Sequence, residues 1–340
     1  MYMKTTFRNS ITQNFALVLL AVTLAAVFQG CENKGGAPTG GVEQKKLRLA
    51  YVANTLDDFW SIVRLGCDVG TRQLGDVEVD FRFPPDRTAA AQQVILSALV
   101  AGGVDGIVIS PIDADSQTEF LNGIAAKSLL VCVDSDAEKS KRSCYIGTDN
   151  VAAGKQAAGL VKAALPQGGK VVLFVGYANA QNTRDRVQGF QDALAGSNIQ
   201  IVDTYADGAK TDVAWKNAQD ALAKFPDLTG MIGIYGYHGP AILTAVRGAN
   251  KAGLVKIVCF DEDAATLAGI ASGDIYGTII QNAYEFGYEP ITRMVKYLRG
   301  DKTQLANGKI LIPTRTITKE NVATFQASRK TVLEIQAQNP

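Results

Sequence analysis

The sequence predicts an α/β protein of two similar lobes, each a doubly wound parallel sheet, and three observations carry that expectation. Short, continuously apolar runs alternate with amphipathic stretches from Lys46 onward, and the same alternation restarts near Asp149. The residues just after the apolar runs are polar or aromatic, as they are where a ligand sits beyond the carboxyl ends of parallel strands. Continuous apolarity is the decisive feature. A strand covered on both faces has no solvent side and so shows no polar alternation.

The first series reads as strand 47–52, helix 59–74, strand 77–83, helix 88–101, strand 106–109, helix 116–127 and strand 129–133. The second opens with helix 151–164, which Pro166-Gln167-Gly168-Gly169 terminates. Strand 170–175, helix 182–194, strand 199–204, helix 212–225 and strand 230–235 follow. Helix 240–252, strand 255–260, helix 264–272 and strand 276–280 complete that series. A helix over 286–298, closed by Arg299-Gly300, and an extended piece over 309–317 come last. One architecture written twice argues for two lobes rather than one large sheet.

The length of 340 residues suits two domains of ordinary size. Apolar residues make up 47% and charged residues 20%, the balance of a globular chain. With 34 basic and 33 acidic side chains the net charge is +1, and no Lys/Arg stripe marks a nucleic-acid partner.

Residues 1–30 read as an export signal outside the fold: Lys4 and Arg8, then an apolar run over 15–28 too short to span a bilayer. The run ends in Phe28-Gln29-Gly30-Cys31, which resembles the bacterial lipoprotein signal and makes Cys31 the expected lipidation site. Residues 31–45, rich in Gly, Pro, Lys and Glu, suit a flexible tether holding the protein at a periplasmic or cell-surface membrane. Disulfides persist outside the cytoplasm. Cys132 and Cys144 bracket a short polar segment, and both a loop-closing bridge and two separate core thiols fit that spacing. No CxxC pair or Cys/His spacing marks a metal site, and a single histidine excludes a His-rich centre. No metal and no cofactor are expected.

Several blocks together resemble the ribose-type periplasmic sugar-binding proteins. They are the stretch from Tyr51 to Trp60, Ile107-Val108-Ile109-Ser110-Pro111, Val131-Cys132-Val133-Asp134-Ser135-Asp136 and Tyr145 to Asn150. Thr183-Arg184-Asp185-Arg186 before Gly189-Phe190, Val258-Cys259-Phe260-Asp261 and Gly277 to Gln281 add to the match, which runs from about Lys46 to Phe325. The resemblance implies a type I periplasmic binding protein whose lobes are joined by three crossings of the chain, near Thr148, Gln281 and Ile312. Lobe 1 is then 46–148 plus 282–312, and lobe 2 is 149–281 plus 313–335. It further implies a monomer that closes on a small ligand and is read by the membrane permease of an ABC transporter or by a chemoreceptor.

A sugar offers hydroxyls that both donate and accept and flatter C–H faces, so charged hydrogen-bonding groups and aromatic plates recognise it. Asp134 and Asp261 match family positions that accept from sugar hydroxyls, and helix capping is the alternative role for each. Asp57 replaces the asparagine usual in its loop, and as a carboxylate it can only accept. Arg184 matches the family arginine that forks to ligand oxygens, while Arg186, two residues on, is expected to point elsewhere. Phe59 and Trp60 open the first helix, with Trp60 the preferred stacking plate. Gln281, at a crossing, donates and accepts. His238, Ser110 and Ser135 stand where ribose-type members place asparagine, asparagine and arginine, and Gly208 lies near an aromatic position. These departures point away from ribose and leave the sugar class.

An enzyme is disfavoured. Residues 54–60 contain no glycine, so the first loop lacks a dinucleotide fingerprint, and Gln156 follows Gly154-Lys155 where a P-loop needs a hydroxyl. A G-x-S-x-G elbow is missing, and a triad could recruit only His238. Repressors of the lactose type share the two-lobed body, but here the preceding stretch reads as signal and spacer, not as a DNA-binding motif. A sensor for a sugar-derived signal or cyclitol is the alternative on the same fold, since fold alone does not name a ligand.

Overall fold

The computed structural model describes residues 45–329. The signal segment, Cys31 and the tether expected ahead of the lobes lie outside the described residues. The first series gives β1 (Leu47–Val52), α1 (Asp58–Leu74), β2 (Val77–Arg82), α2 (Ala89–Ala101), β3 (Gly106–Ile109), α3 (Ala114–Ala125), β4 (Leu129–Val133) and β5 (Cys144–Gly147). The chain then builds α4 (Asn150–Ala164), β6 (Gly169–Val175), α5 (Gln181–Leu194), β7 (Ile199–Ala206), α6 (Thr211–Lys224) and β8 (Leu228–Gly233). It continues through α7 (His238–Gly248), β9 (Lys256–Phe260), α8 (Ala264–Ser272) and β10 (Gly277–Ile280). It ends with α9 (Ala283–Leu298), β11 (Lys309–Leu311), β12 (Arg315–Thr318) and a helix over 322–329.

Two six-stranded sheets result, ordered β11-β5-β4-β3-β1-β2 and β12-β10-β9-β8-β6-β7. The orders are equivalent position by position, so the doubly wound α/β reading of each half holds. One strand breaks the parallel pattern: β12 runs antiparallel to β10, whereas its counterpart β11 runs parallel to β5. The chain passes from the first sheet to the second after β5, returns after β10, and passes over once more between β11 and β12.

Each sheet is covered on both faces because successive side chains point to opposite sides. In β1, Leu49 and Tyr51 enter the cluster holding Val63, Cys67, Phe286 and Met294 of α1 and α9. Ala50 and Val52 enter the other, with Leu96 of α2 and Leu121 of α3. In β6, Val171, Leu173 and Val175 pack against α4 and α5, while Val172 and Phe174 face α6 and α7. Short acidic and hydroxyl residues start the helices: Asp57, Thr88, Asp113, Asp149 and Asp263 each accept a backbone N–H at an N-cap.

Matching glycines let one helix pair in each lobe approach closely. A Cβ on Gly287 of α9 would lie 1.9 Å from the Val63 carbonyl of α1, and one on Gly189 of α5 would lie 2.0 Å from the Val151 carbonyl of α4. Pro290 stands inside α9 and has no N–H for the carbonyl of Phe286 four residues back. That carbonyl accepts the Tyr51 hydroxyl of β1 instead, at 2.9 Å. Tyr51→Phe should therefore leave a buried carbonyl unpaired and cost about 1–3 kcal/mol in urea unfolding. A change below 0.5 kcal/mol, roughly the level of a neutral surface substitution, would show that the bond adds nothing.

Parallel pairing sets Cys144 opposite Val131, and Cys132 opposite Tyr145. Cys132 and Cys144 therefore face opposite sides of the sheet, one in each of its two core clusters. The bridge that their spacing allowed is not formed, and all four described cysteines are buried free thiols.

Candidate functional site

The carboxyl ends of both sheets meet at a cleft. Asp134 follows β4 and Asp261 follows β9, the equivalent strand, and both adopt left-handed backbone with φ of 58° and 64°. That conformation costs an L-residue roughly 1–2 kcal/mol, less for Asp because its side chain bonds locally. The same turn, made twice, sets one carboxylate from each lobe at the cleft.

Asp134 is fully engaged. Its Oδ2 accepts from Ser110 Oγ at 2.7 Å and Asn54 Nδ2 at 3.2 Å, and its Oδ1 accepts from Asn182 Nδ2 at 3.1 Å. Trp60 holds Asn54 in turn, its Nε1 donating to Asn54 Oδ1 at 2.9 Å. Across the cleft, Tyr177 donates to the Asn54 carbonyl at 3.2 Å and Arg87 Nη1 to the Ala209 carbonyl at 2.8 Å. The two lobes thus grip each other directly.

Among the described residues, Arg186 is the one fully buried arginine. It is 2% exposed, donates from Nε to Asn150 Oδ1 at 2.8 Å and from Nη1 to the Ile234 carbonyl at 2.6 Å, and binds Gln281 Oε1 through Nη2. Asn150 and Gln281 flank two of the crossings between sheets. Nη2 also lies 3.9 Å from Asp134 Oδ1, and the guanidinium sits 4.6 Å above the Phe260 ring. Gln281 passes the connection on, Nε2 donating to Asp261 Oδ1 at 2.9 Å.

A narrow inner chamber of about 20 Å³ lies between Asp57, Phe59, Trp60, Asp134, Arg186 and Asp261, among others. Beside it opens a cavity of about 330 Å³ whose wall includes Asp57, Phe59, Tyr237, Asp261 and Gln281, a volume in the range of small-molecule sites. Burial raises the carboxyl of Asp57 to about 6 and that of Asp261 to about 7, the latter against the opposing pull of Arg186. Burial also raises Asp134, again opposed by Arg186.

The structure redistributes several residues expected at the ligand. Arg184 lies off the cavity, bonding the Asn179 carbonyl at 2.7 Å and pairing with Asp115 at 3.2 Å. The arginine of the cleft is Arg186. The reason is helical period: Asn182, Thr183, Arg186, Gly189 and Phe190 form the buried face of α5, and position 184 falls outside it. His238 does not reach the cavity either. It is 0% exposed, its Nε2 bonds Asp207 Oδ2 at 2.7 Å, and its Nδ1 accepts the Tyr235 N–H at 3.0 Å. Asp207 also accepts from the Tyr237 hydroxyl at 2.5 Å, so the histidine braces a wall residue from behind.

Ser110 stands one step back, behind Asp134, and Ser135 Oγ accepts the Gln181 N–H at 3.1 Å rather than facing the cavity. Asp57 both lines the cavity and caps α1 through the Trp60 N–H at 3.2 Å. The aromatic roles are exchanged: Trp60 is 2% exposed and touches only the inner chamber, whereas Phe59 lines both spaces. Asn182, Tyr235 and Tyr237 also line these spaces, and sequence reasoning gives none of them an individual role. Asn182, four residues before Arg186, shares its helical stripe, a legible signal, but the two tyrosines carry no pattern that separates wall from core.

Residues 49–302 match the periplasmic binding protein domain family, and the chain belongs to that family. A ribose import binding protein of Bacillus subtilis is 23% identical over 78% of this chain and 87% of its own length. Among solved structures, an ABC transporter solute-binding protein of Burkholderia graminis in complex with D-arabinose superposes with a TM-score of 0.77 at 26% identity, covering 82% of this chain and 96% of that one. One from Agrobacterium vitis bound with α-D-tagatopyranose gives 0.78 at 26%, covering 84% and 98%. The ribose-type resemblance read from sequence is thereby established, and the family's location is extracytoplasmic.

Proposed function

We propose that this chain is a substrate-binding protein that captures a monosaccharide-like ligand between its lobes and delivers it to an ABC permease. One observation carries the reading: Asp57, Asp261 and Gln281, beside Arg186, converge with Phe59 and Tyr237 on a single cavity between the two sheets. Carboxylates accept from ring hydroxyls, the amide and guanidinium donate to ring oxygens, and the aromatic faces cover C–H edges. Relatives described as binding ribose, D-arabinose and α-D-tagatopyranose support a sugar. The protein works as a monomer without chemistry of its own, anchored by acylated Cys31, with 46–148 plus 282–312 and 149–281 plus 313–335 as the closing lobes.

Calorimetry over pentoses, hexoses, polyols and cyclitols tests this. One ligand should bind at one site per chain with a dissociation constant of about 1 μM or tighter, about −8 kcal/mol. No heat from any hydroxylated compound would remove the reading.

A further inference from the structure

Taking the inter-lobe cavity as the ligand site, as proposed above, we infer that its ligand carries a protonated amine on a hydroxylated ring: an aminated sugar or cyclitol. The wall of the larger cavity includes Asp57, Asp58, Asp261, Glu262 and Asp263 and, among the described residues, holds no lysine, arginine or histidine. The inner chamber adds Asp134, against Arg186 alone. Two of these charges are answered locally. Glu262 lies 3.8 Å from Arg329, and Asp263 caps α8 by accepting from Ala265 N at 2.7 Å and Thr266 N at 3.3 Å.

Asp261 is not answered in full. It is 6% exposed, and its Oδ1 takes the Gln281 amide, but among the described residues its Oδ2 has no hydrogen-bond partner. That oxygen points to the cavity beside Gly236, where a Cβ would stand 3.4 Å from it. Arg186 acts on Asp261 through space but donates no hydrogen bond to it, because its guanidinium is committed to Asn150, Ile234 and Gln281 and lies against Asp134. Asp57 caps α1 by accepting the Trp60 N–H and also lines the same space.

A hydroxyl can donate to such oxygens but brings no charge. An ammonium brings both, and in a low-dielectric cleft the Coulombic part dominates. Burial raises the carboxyls of Asp57 and Asp261 to about 6 and 7, and a cationic ligand seated beside them would draw both back down. Phe59 and Tyr237 in the same wall bring aromatic rings to the space such a cation would occupy.

Calorimetry at pH 7 with matched probes decides it: D-glucosamine against D-glucose, D-galactosamine against D-galactose, and an amino-inositol against myo-inositol, each with its N-acetyl form. In the pair that binds, the amine should be at least tenfold tighter than the hydroxyl compound, and N-acetylation should erase the advantage. Asp57→Asn and Asp261→Asn should each shrink the amine-to-hydroxyl ratio at least fivefold, with folding checked by thermal denaturation. A neutral member binding as tightly as its amine overturns this inference and leaves the sugar reading standing. Silence from every probe, neutral and aminated, counts against both.

Discussion

Arg186→Ala is expected to destabilise the protein by about 3–5 kcal/mol and to abolish ligand capture, because it strands buried carboxylates without their one internal cation. The guanidinium lies 3.9 Å from Asp134, bridges to Asp261 through Gln281, and joins Asn150 to Gln281 at two of the points where the chain changes sheets. Its loss therefore removes charge compensation and the tie between crossings together. Urea unfolding reads the first effect and calorimetry with the cognate ligand the second. Arg184→Ala supplies the contrast: its side chain is 35% exposed in a surface pair with Asp115, and such pairs contribute about 0–1 kcal/mol. If Arg184→Ala abolished binding and Arg186→Ala did not, the site would be misassigned.

The free protein should lose stability as the solution is made less acidic, over a window where most proteins gain it. The carboxyls of Asp57 and Asp261 lie at about 6 and 7 in the fold, raised by burial from an ordinary value of 3.8. Between about pH 4 and pH 7 the folded state thus holds more protons than the unfolded chain, so stability falls through that window and levels off above it. A tenfold difference in proton affinity between the two states is worth about 1.4 kcal/mol, and the Asp134 carboxyl is raised in the same direction. Urea midpoints should be higher at pH 5 than at pH 7.5, and Asp261→Asn should flatten the difference. Ligand affinity should run oppositely, tightening from pH 5 to pH 7, since donors from the ligand favour the ionised carboxylates. A rising stability curve in the wild type would refute the burial-raised carboxyls in the cleft.

The fold class was legible because runs such as Gly106-Ile107-Val108-Ile109 and Val171-Val172-Leu173-Phe174 admit no solvent face. The antiparallel β12 was not, since a short strand at a sheet edge carries no mark of direction. The loops of the site are legible as the segments that follow strand ends, and Asp57, Phe59, Asp261 and Gln281 all lie in or beside them. What the segments could not give was side-chain direction. Arg184 and Arg186 are chemically alike and differ only in helical phase, and the stripe through Asn182, Gly189 and Phe190 distinguishes them once phase is considered. Ser110, Ser135 and His238 show another limit: polar residues beside a ligand and polar residues supporting them look the same in one dimension.

The helix that fills the first lobe has a consequence for how the molecule is made. Phe286, Ile291, Met294 and Val295 of α9 belong to the same core as Leu49, Tyr51, Trp60 and Val63, yet they leave the ribosome only after five of the six strands of the second sheet, β6 to β10. The amino-terminal half therefore stays unfinished for most of synthesis, with the groove that receives α9 bare. A chain destined for export gains from that delay, since translocation requires a polypeptide that has not yet closed on itself.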